Sequence, residues 1–296
     1  GEWRREPWYG TRFRLVALEP AALARWADVP ALAAAAKAGE PPLALPEANP
    51  FVPTDFAIRA PPGPKPPHPP PPPALLDGAP PGVALWYKLD RTFRKPRLAV
   101  YLQLRCAGAY SSPEASVFSN LFAKLLSDAL QPLAYHAEVA ELHYSLYNTA
   151  RGLVLKVGGY SHKLHVLLDK VLTTLAGLRG AAVRDERFEI YREQQALDYD
   201  NFWRSQPYAL ADYHAGYALE ARKWHVREYM AFLKDAQRCT AAELRAFVER
   251  ELFAAGAAAD MLVHGNADEA EARGLAQLVA DRIYGGGGAQ ATPLQP

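Results

Sequence analysis

The sequence predicts an α+β protein: a mostly antiparallel sheet covered by helices on one face, preceded by a proline-rich linker. Three observations lead there. Leu98, Val100, Leu102 and Leu104 alternate with period two, as a half-buried strand requires. Leu164, Leu167, Leu168, Val171, Leu172 and Leu175 recur at helical spacing. Between Ala60 and Gly82 the prolines, among them the run Pro69 to Pro73, separate a short N-terminal part from these patterned segments.

Bulk properties bound the function. The 296 residues are 50% hydrophobic and 22% charged, enough to bury a sizeable core. Lys and Arg number 33 against 32 Asp and Glu, so no global field calls for nucleic acid or an anionic membrane. No apolar run approaches the ~20 residues of a membrane helix. Gly1-Glu2-Trp3-Arg4-Arg5 is not a signal peptide, and the start without Met reads as a segment of something longer. Cys106 and Cys239 fit neither a metal knuckle nor a disulfide framework; they read as buried thiols of a reducing compartment, with a cytoplasmic location as the expectation.

Residues 1–59 offer one amphipathic helix, Pro20 to Trp26, an alanine-rich stretch and extended segments, and are expected to complete a preceding domain. Residues 60–82 form the linker, because proline lacks an amide donor and fixes φ; neither helix nor sheet ladder is expected there.

Residues 83–284 form the main domain. Strands are expected at Val83 to Lys88 and Arg97 to Cys106. A helix capped by Ser112-Pro113-Glu114 follows, carrying Phe118, Leu121, Phe122, Leu125 and Ala129 on one stripe and ending or kinking at Pro132. A hairpin, His143 to Asn148 and Leu153 to Gly159, turns through Thr149-Ala150-Arg151-Gly152. The leucine-striped helix comes next, then helices over Arg184 to Asn201, Pro207 to Leu219 and Trp224 to Lys234. Thr240 to Glu243 reads as a capping box ahead of Leu244, Phe247, Val248 and Leu252. A strand, Asp260 to His264, and a helix, Asp268 to Ile283, close the domain; residues 285–296 read as a disordered tail.

The chemistry scan returns no catalytic and no metal-binding residue, and leaves any binding residues unassigned. His225-Val226-Arg227-Glu228-Tyr229 is an HxxEH pattern with its last ligand replaced by tyrosine, which does not hold zinc as imidazole does. His136, Glu141 and His143 lie at suggestive spacing, but His143 already belongs to a strand. Neither a nucleophile elbow nor a phosphate loop occurs, and Gly285 to Gly288 has no following helix. Arg91, Arg94, Lys95 and Arg97 form a basic cluster open to a solvated-loop or polyanion reading. Pro61 to Pro73 reads as a spacer or as a ligand for a proline-binding groove, which leaves an adaptor without peptidase activity as the alternative function.

Several segments together resemble one family. Trp8 to Thr11 and Leu45 to Phe56 are similar to the end of the second domain of the insulin-degrading-enzyme and pitrilysin family of zinc metallopeptidases. Leu85 to Asp90, Leu125 to Leu130, Tyr135 to Leu142, Gly158 to Lys163, Arg187 to Ile190 and Leu262 to Asn266 are similar to its third, middle domain, in colinear order. The resemblance implies one repeat domain of a pitrilysin-type peptidase, in which four such domains form two bowl-like halves joined by a linker around a chamber. It further implies that zinc, its HxxEH motif and the assisting Arg and Tyr belong to the first and fourth domains. This chain would then carry no cofactor and would act as chamber wall and inter-half spacer. Its partners would be peptide substrates and the catalytic first and fourth domains, and self-association into a homo-oligomer is compatible with it.

Overall fold

Residues 1–28, 47–64, 66, 68–179, 183–253 and 258–285 are described by the computed structural model. The chain divides into two units, Gly1–Ala48 and Asn49–Pro296.

In the first unit β1 (Trp3–Arg5) and β2 (Arg12–Arg14) pair antiparallel, Trp3 opposite Arg14, a hairpin the alternation rule did not flag. The Arg12 and Arg14 guanidinium carbons each lie 5.4 Å from the Trp3 ring, a contact that suits cations over indole. Helix α1 (Pro20–Ala27) follows, begun by the proline expected at a first turn. The alanine-rich stretch after it lies outside the described residues.

The second unit is built on six strands: β3 (Ala74–Leu75), β4 (Val83–Leu89), β5 (Arg97–Arg105), β6 (His143–Thr149), β7 (Gly152–Tyr160) and β8 (Ala258–Gly265). Their order across the sheet is β3-β4-β8-β5-β7-β6. Every neighbouring pair is antiparallel except β4 and β8, because β8 returns after the helices and inserts between β4 and β5.

Registers place Leu85, Met261, Leu102, Leu155 and Leu146 in one row across five strands. All but Leu146 are buried, so the period-two pattern aims one continuous apolar face at the helices.

The helices of this unit are α2 (Pro113–Ala129), α3 (Gln131–Val139), α4 (Ser161–Arg179), α5 (Asp185–Phe202), α6 (Pro207–Leu219), α7 (Val226–Lys234), α8 (Ala241–Phe247) and α9 (Glu269–Tyr284); α2, α3, α4 and α9 lie against the strands, whereas α6 has no buried residue. Local chemistry sets their ends. Ser112 Oγ accepts the Ala115 amide at 3.1 Å ahead of Pro113 and Glu114. Asp268 and Glu271 exchange side chain for backbone in both directions at 2.8 Å, and Gly285 ends α9 at φ 69°. Thr240 Oγ1 accepts the Glu243 amide at 3.2 Å. On α4 the six stripe residues, Leu164 through Leu175, are completely buried.

Four expectations need correction. Ala129 is exposed although Leu125, Leu126 and Leu130 around it are buried, so it lies on the outer side of the last turn of α2. Helix α7 starts at Val226, since His225 rather than Trp224 is its cap. The proline-rich stretch does reach the sheet: Ala74 and Leu75 pair with Tyr87 and Trp86, and the Leu76 amide donates to the Leu85 carbonyl at 2.8 Å. The uninterrupted proline run stops at Pro73, so the next three residues have amides to give.

Residues 49–59, expected to complete a preceding domain, and Ala60, expected in the linker, fall within the second unit, with Phe51 and Ala60 buried. They lie as a strap over its polar end. Of the proposed tail, residues 286–296 lie outside the described residues.

Candidate functional site

Helices cover one face of the sheet, and the other carries a distinct row: Trp86, Leu262, Tyr101, Lys156 and Ser145 on successive strands. Trp86 is 41% exposed, Tyr101 42% and Tyr147, on the next outward position of β6, 40%. The Lys156 ammonium sits 5.5 Å from both the Tyr101 and Tyr147 rings, which hold it over the face by cation–π attraction. Beside this row Arg105 pairs with Asp260 at 3.0 Å. The result is a broad sheet surface of aromatic rings, short aliphatic groups and a few charges. Such a surface contacts an extended chain over many residues and recognises no single group tightly.

A second concavity lies where the strap meets α4 and α9. It encloses about 420 Å³ and is floored by Leu98, Ala267, Leu275 and Leu278. Its polar rim is occupied by the fold itself. His162 Nδ1 accepts the Thr54 and Asp55 amides at 3.0 and 3.2 Å, and Arg59 bonds Glu271 at 2.9 Å and Asp55 at 3.3 Å. Gly265, at φ 133°, lets the chain leave β8 here: a Cβ would stand 2.4 Å from the Arg97 carbonyl oxygen.

The residues weighed from sequence have structural employment. His225 Nδ1 accepts the Arg227 amide at 3.1 Å, while Glu228 Oε2 accepts the His225 amide at 2.6 Å. The pattern that resembles HxxEH is thus a reciprocal helix cap, with both candidate ligands committed to backbone. Glu141 pairs with Arg97, His143 stands on β6, and His136 on α3 gives its carbonyl to Asn49 Nδ2 at 2.7 Å; the three do not converge. Among the described residues no group of three or more His, Cys, Asp or Glu is placed to hold a metal, so the residues present do not fit zinc.

The basic cluster divides. Arg94 donates to the Ala60 and Pro61 carbonyls at 3.2 and 3.1 Å, Arg97 lies 4.9 Å over the Tyr160 ring, and Arg91 and Lys95 are exposed. Sequence reasoning missed that Arg94 and Arg97 hold the strap and hairpin in place. It missed the open-face aromatics as well, although Tyr101 between Val100 and Leu102 is the outward half of the same alternation. Both cysteines are buried, and burial pushes each thiol up to about 12.

Comparison with known proteins follows the same lines. The solved structure of pitrilysin superposes with a TM-score of 0.70 at 24% identity, covering 84% of this chain and 25% of that one. Insulin-degrading enzyme-like 1, peroxisomal, from Arabidopsis thaliana is 29% identical over 279 residues, 94% of this chain and 26% of that protein. Insulin-degrading enzyme from Homo sapiens is 30% identical over 280 residues, 95% of this chain and 25% of that protein. The chain spans about a quarter of the length of these relatives. A family model described as the middle or third domain of M16 peptidases matches residues 1–232, and the chain belongs to that family.

Proposed function

We propose that the chain is the non-catalytic middle region of a zinc metalloendopeptidase that degrades peptides in an enclosed chamber, where it forms chamber wall and inter-half spacer. The observation that carries this is the uncovered sheet face with Trp86, Leu262, Tyr101 and Tyr147 in reach of solvent. A layered domain standing alone gains by covering such a face, whereas a chamber wall keeps it bare toward an unfolded substrate. Residues 60–82 serve as the spacer, docked at their C-terminal end through Ala74 and Leu75 and otherwise dominated by proline. Zinc, its ligands and the general base belong to the first domain and the assisting Arg and Tyr to the fourth, and these two domains are this chain's partners together with peptide substrates. Neither nucleic acid nor membrane has a role in this reading. The relatives named as insulin-degrading enzymes support it, as do His225 and Glu228, which cap a helix and leave no ligand set here.

The test places a photo-crosslinking residue at Tyr101 on the open face or at Lys170 on the exposed side of α4, and offers reduced, carboxymethylated lactalbumin as an unfolded polypeptide. Crosslinking that favours position 101 is expected. Equal labelling at the two positions overturns the wall assignment.

A further inference from the structure

The two edges of the sheet are treated differently. Beside β4 the edge is closed by the two-residue β3, preceded by Pro69 to Pro73, a short proline-flanked strand of the kind that blocks further pairing. At the opposite edge β6 runs for seven residues, His143–Thr149, and bonds only to β7. It contains no proline, glycine or charged side chain, which are the usual edge protections. Among the described residues no backbone hydrogen bond from outside the β6–β7 ladder reaches it. Alternate N–H and C=O groups along this edge therefore face outward, ready for another strand.

Both faces beside this edge carry recognition surface. On the helix side a groove of about 250 Å³ runs along it, lined by Leu146, Asn148, Asn120, Ser127, Gln131 and Gln194. Its charged neighbours are already paired: Lys124 with Asp198 at 2.9 Å, and Asp128 with Arg187 and with Tyr191 at 2.9 Å. Asn120 Nδ2 and Asn148 Oδ1 bond each other at 3.0 Å. What the groove has left to offer suits small, uncharged side chains.

On the open side Lys156 stands beside Ser145, a small residue, with its ammonium 5.5 Å from the Tyr147 ring of β6 and equally far from the Tyr101 ring of β5. No carboxylate among the described residues pairs with it. A strand added outside β6 would place every second side chain on this face, within reach of the lysine across Ser145.

We infer that the β6 edge is a binding site for an extended acidic peptide, taken up by strand addition, with acidic residues toward Lys156 and small uncharged ones in the groove. Backbone bonds along β6 supply the attachment, and the two faces select which peptides use it. The inference deepens the peptide-handling role proposed above and rests on it for the class of ligand.

The experiment uses the full chain and a fluorescein-labelled synthetic peptide of alternating glutamate and valine. The expected result is saturable binding, weakened about tenfold or more when lysine replaces glutamate. It is expected to be lost when the amides of one alternate register are N-methylated, because those amides donate to the edge. Lys156→Glu, an exposed change outside the core, is expected to reverse the preference toward the lysine peptide. Equal binding of both N-methylated registers and the parent, or no change in preference in K156E, overturns the inference. So does sedimentation showing that β6 is consumed by a second copy of the chain. If peptide binding fails here while lactalbumin still crosslinks at position 101, only the edge site falls; if both fail, the wall reading falls as well.

Discussion

The side-chain oxygen of Asn266 accepts the Arg59 backbone amide at 2.7 Å, tying the strap to the turn between β8 and α9. The same residue gives Nδ2 to the Ala57 carbonyl at 2.9 Å and to Ser161 Oγ at 3.0 Å, and it is 3% exposed. An amide has both a donor and an acceptor, so one buried side chain closes both polar needs of the strap. Asn266→Ala is expected to lower stability by about 2–4 kcal/mol, since strap groups lose partners away from water. Urea unfolding with hydrogen exchange at the Arg59 amide checks this; exchange as slow as in the parent chain would contradict it.

Leu168 lies completely buried at the centre of the α4 stripe. Leu168→Ala is expected to cost about 2–5 kcal/mol, the range for a leucine that leaves a cavity. Lys163→Ala, at the half-exposed start of the same helix, should stay within about 0.5 kcal/mol. Urea unfolding of both variants decides, provided each unfolds in one transition. Equal and small effects would mean that the stripe does not pack as described.

Asp128 joins α2 to α5. The Arg187 guanidinium, helped by the Tyr191 hydroxyl at 2.9 Å, holds its carboxyl below the ordinary carboxylate value, with burial opposing. The folded-state pKa is depressed, so the stabilisation is present above the unfolded pKa and is lost as pH falls through the folded one. Thermal unfolding is expected to give a steeper loss of Tm with acidification below about pH 4 in the parent chain than in Asp128→Asn. Parallel acid limbs would remove Asp128 from the account.

Helix α7 begins with the reciprocal bonds of His225 and Glu228. His225→Ala is expected to cost about 0.5–2 kcal/mol, as loss of an N-cap does, and His225→Asn to restore most of it. Purified chain should hold no stoichiometric zinc after mild chelation, with or without these substitutions. One zinc per chain that His225→Ala releases would reverse the assignment from cap to ligand.

Much of the fold was readable locally. The alternation in β5, the α4 stripe, the Ser112 and Asp268 caps and the Pro207 start of α6 are each set by neighbours within a few residues. Side-chain periodicity and orphan amides act at that range. The candidate site was less readable. Tyr101 and Trp86 are ordinary strand residues until the registers place them in one row, opposite the face against which α2, α4 and α9 pack.

The sequence by itself determined the α+β class, most of the element order from β4 onward and the lack of a recognisable catalytic motif in it, because those depend on composition, period and spacing. Only the tertiary structure decided that β8 enters between β4 and β5 and that Ala74 and Leu75 leave the proline run to close one edge. It alone showed Arg94 and Asn266 holding a strap, and β6 bonded on one side only among the described residues. The physical reason is range. A hydrogen bond from Arg59 to Asn266 closes over 207 residues, and no local propensity encodes which distant polar group will complete it.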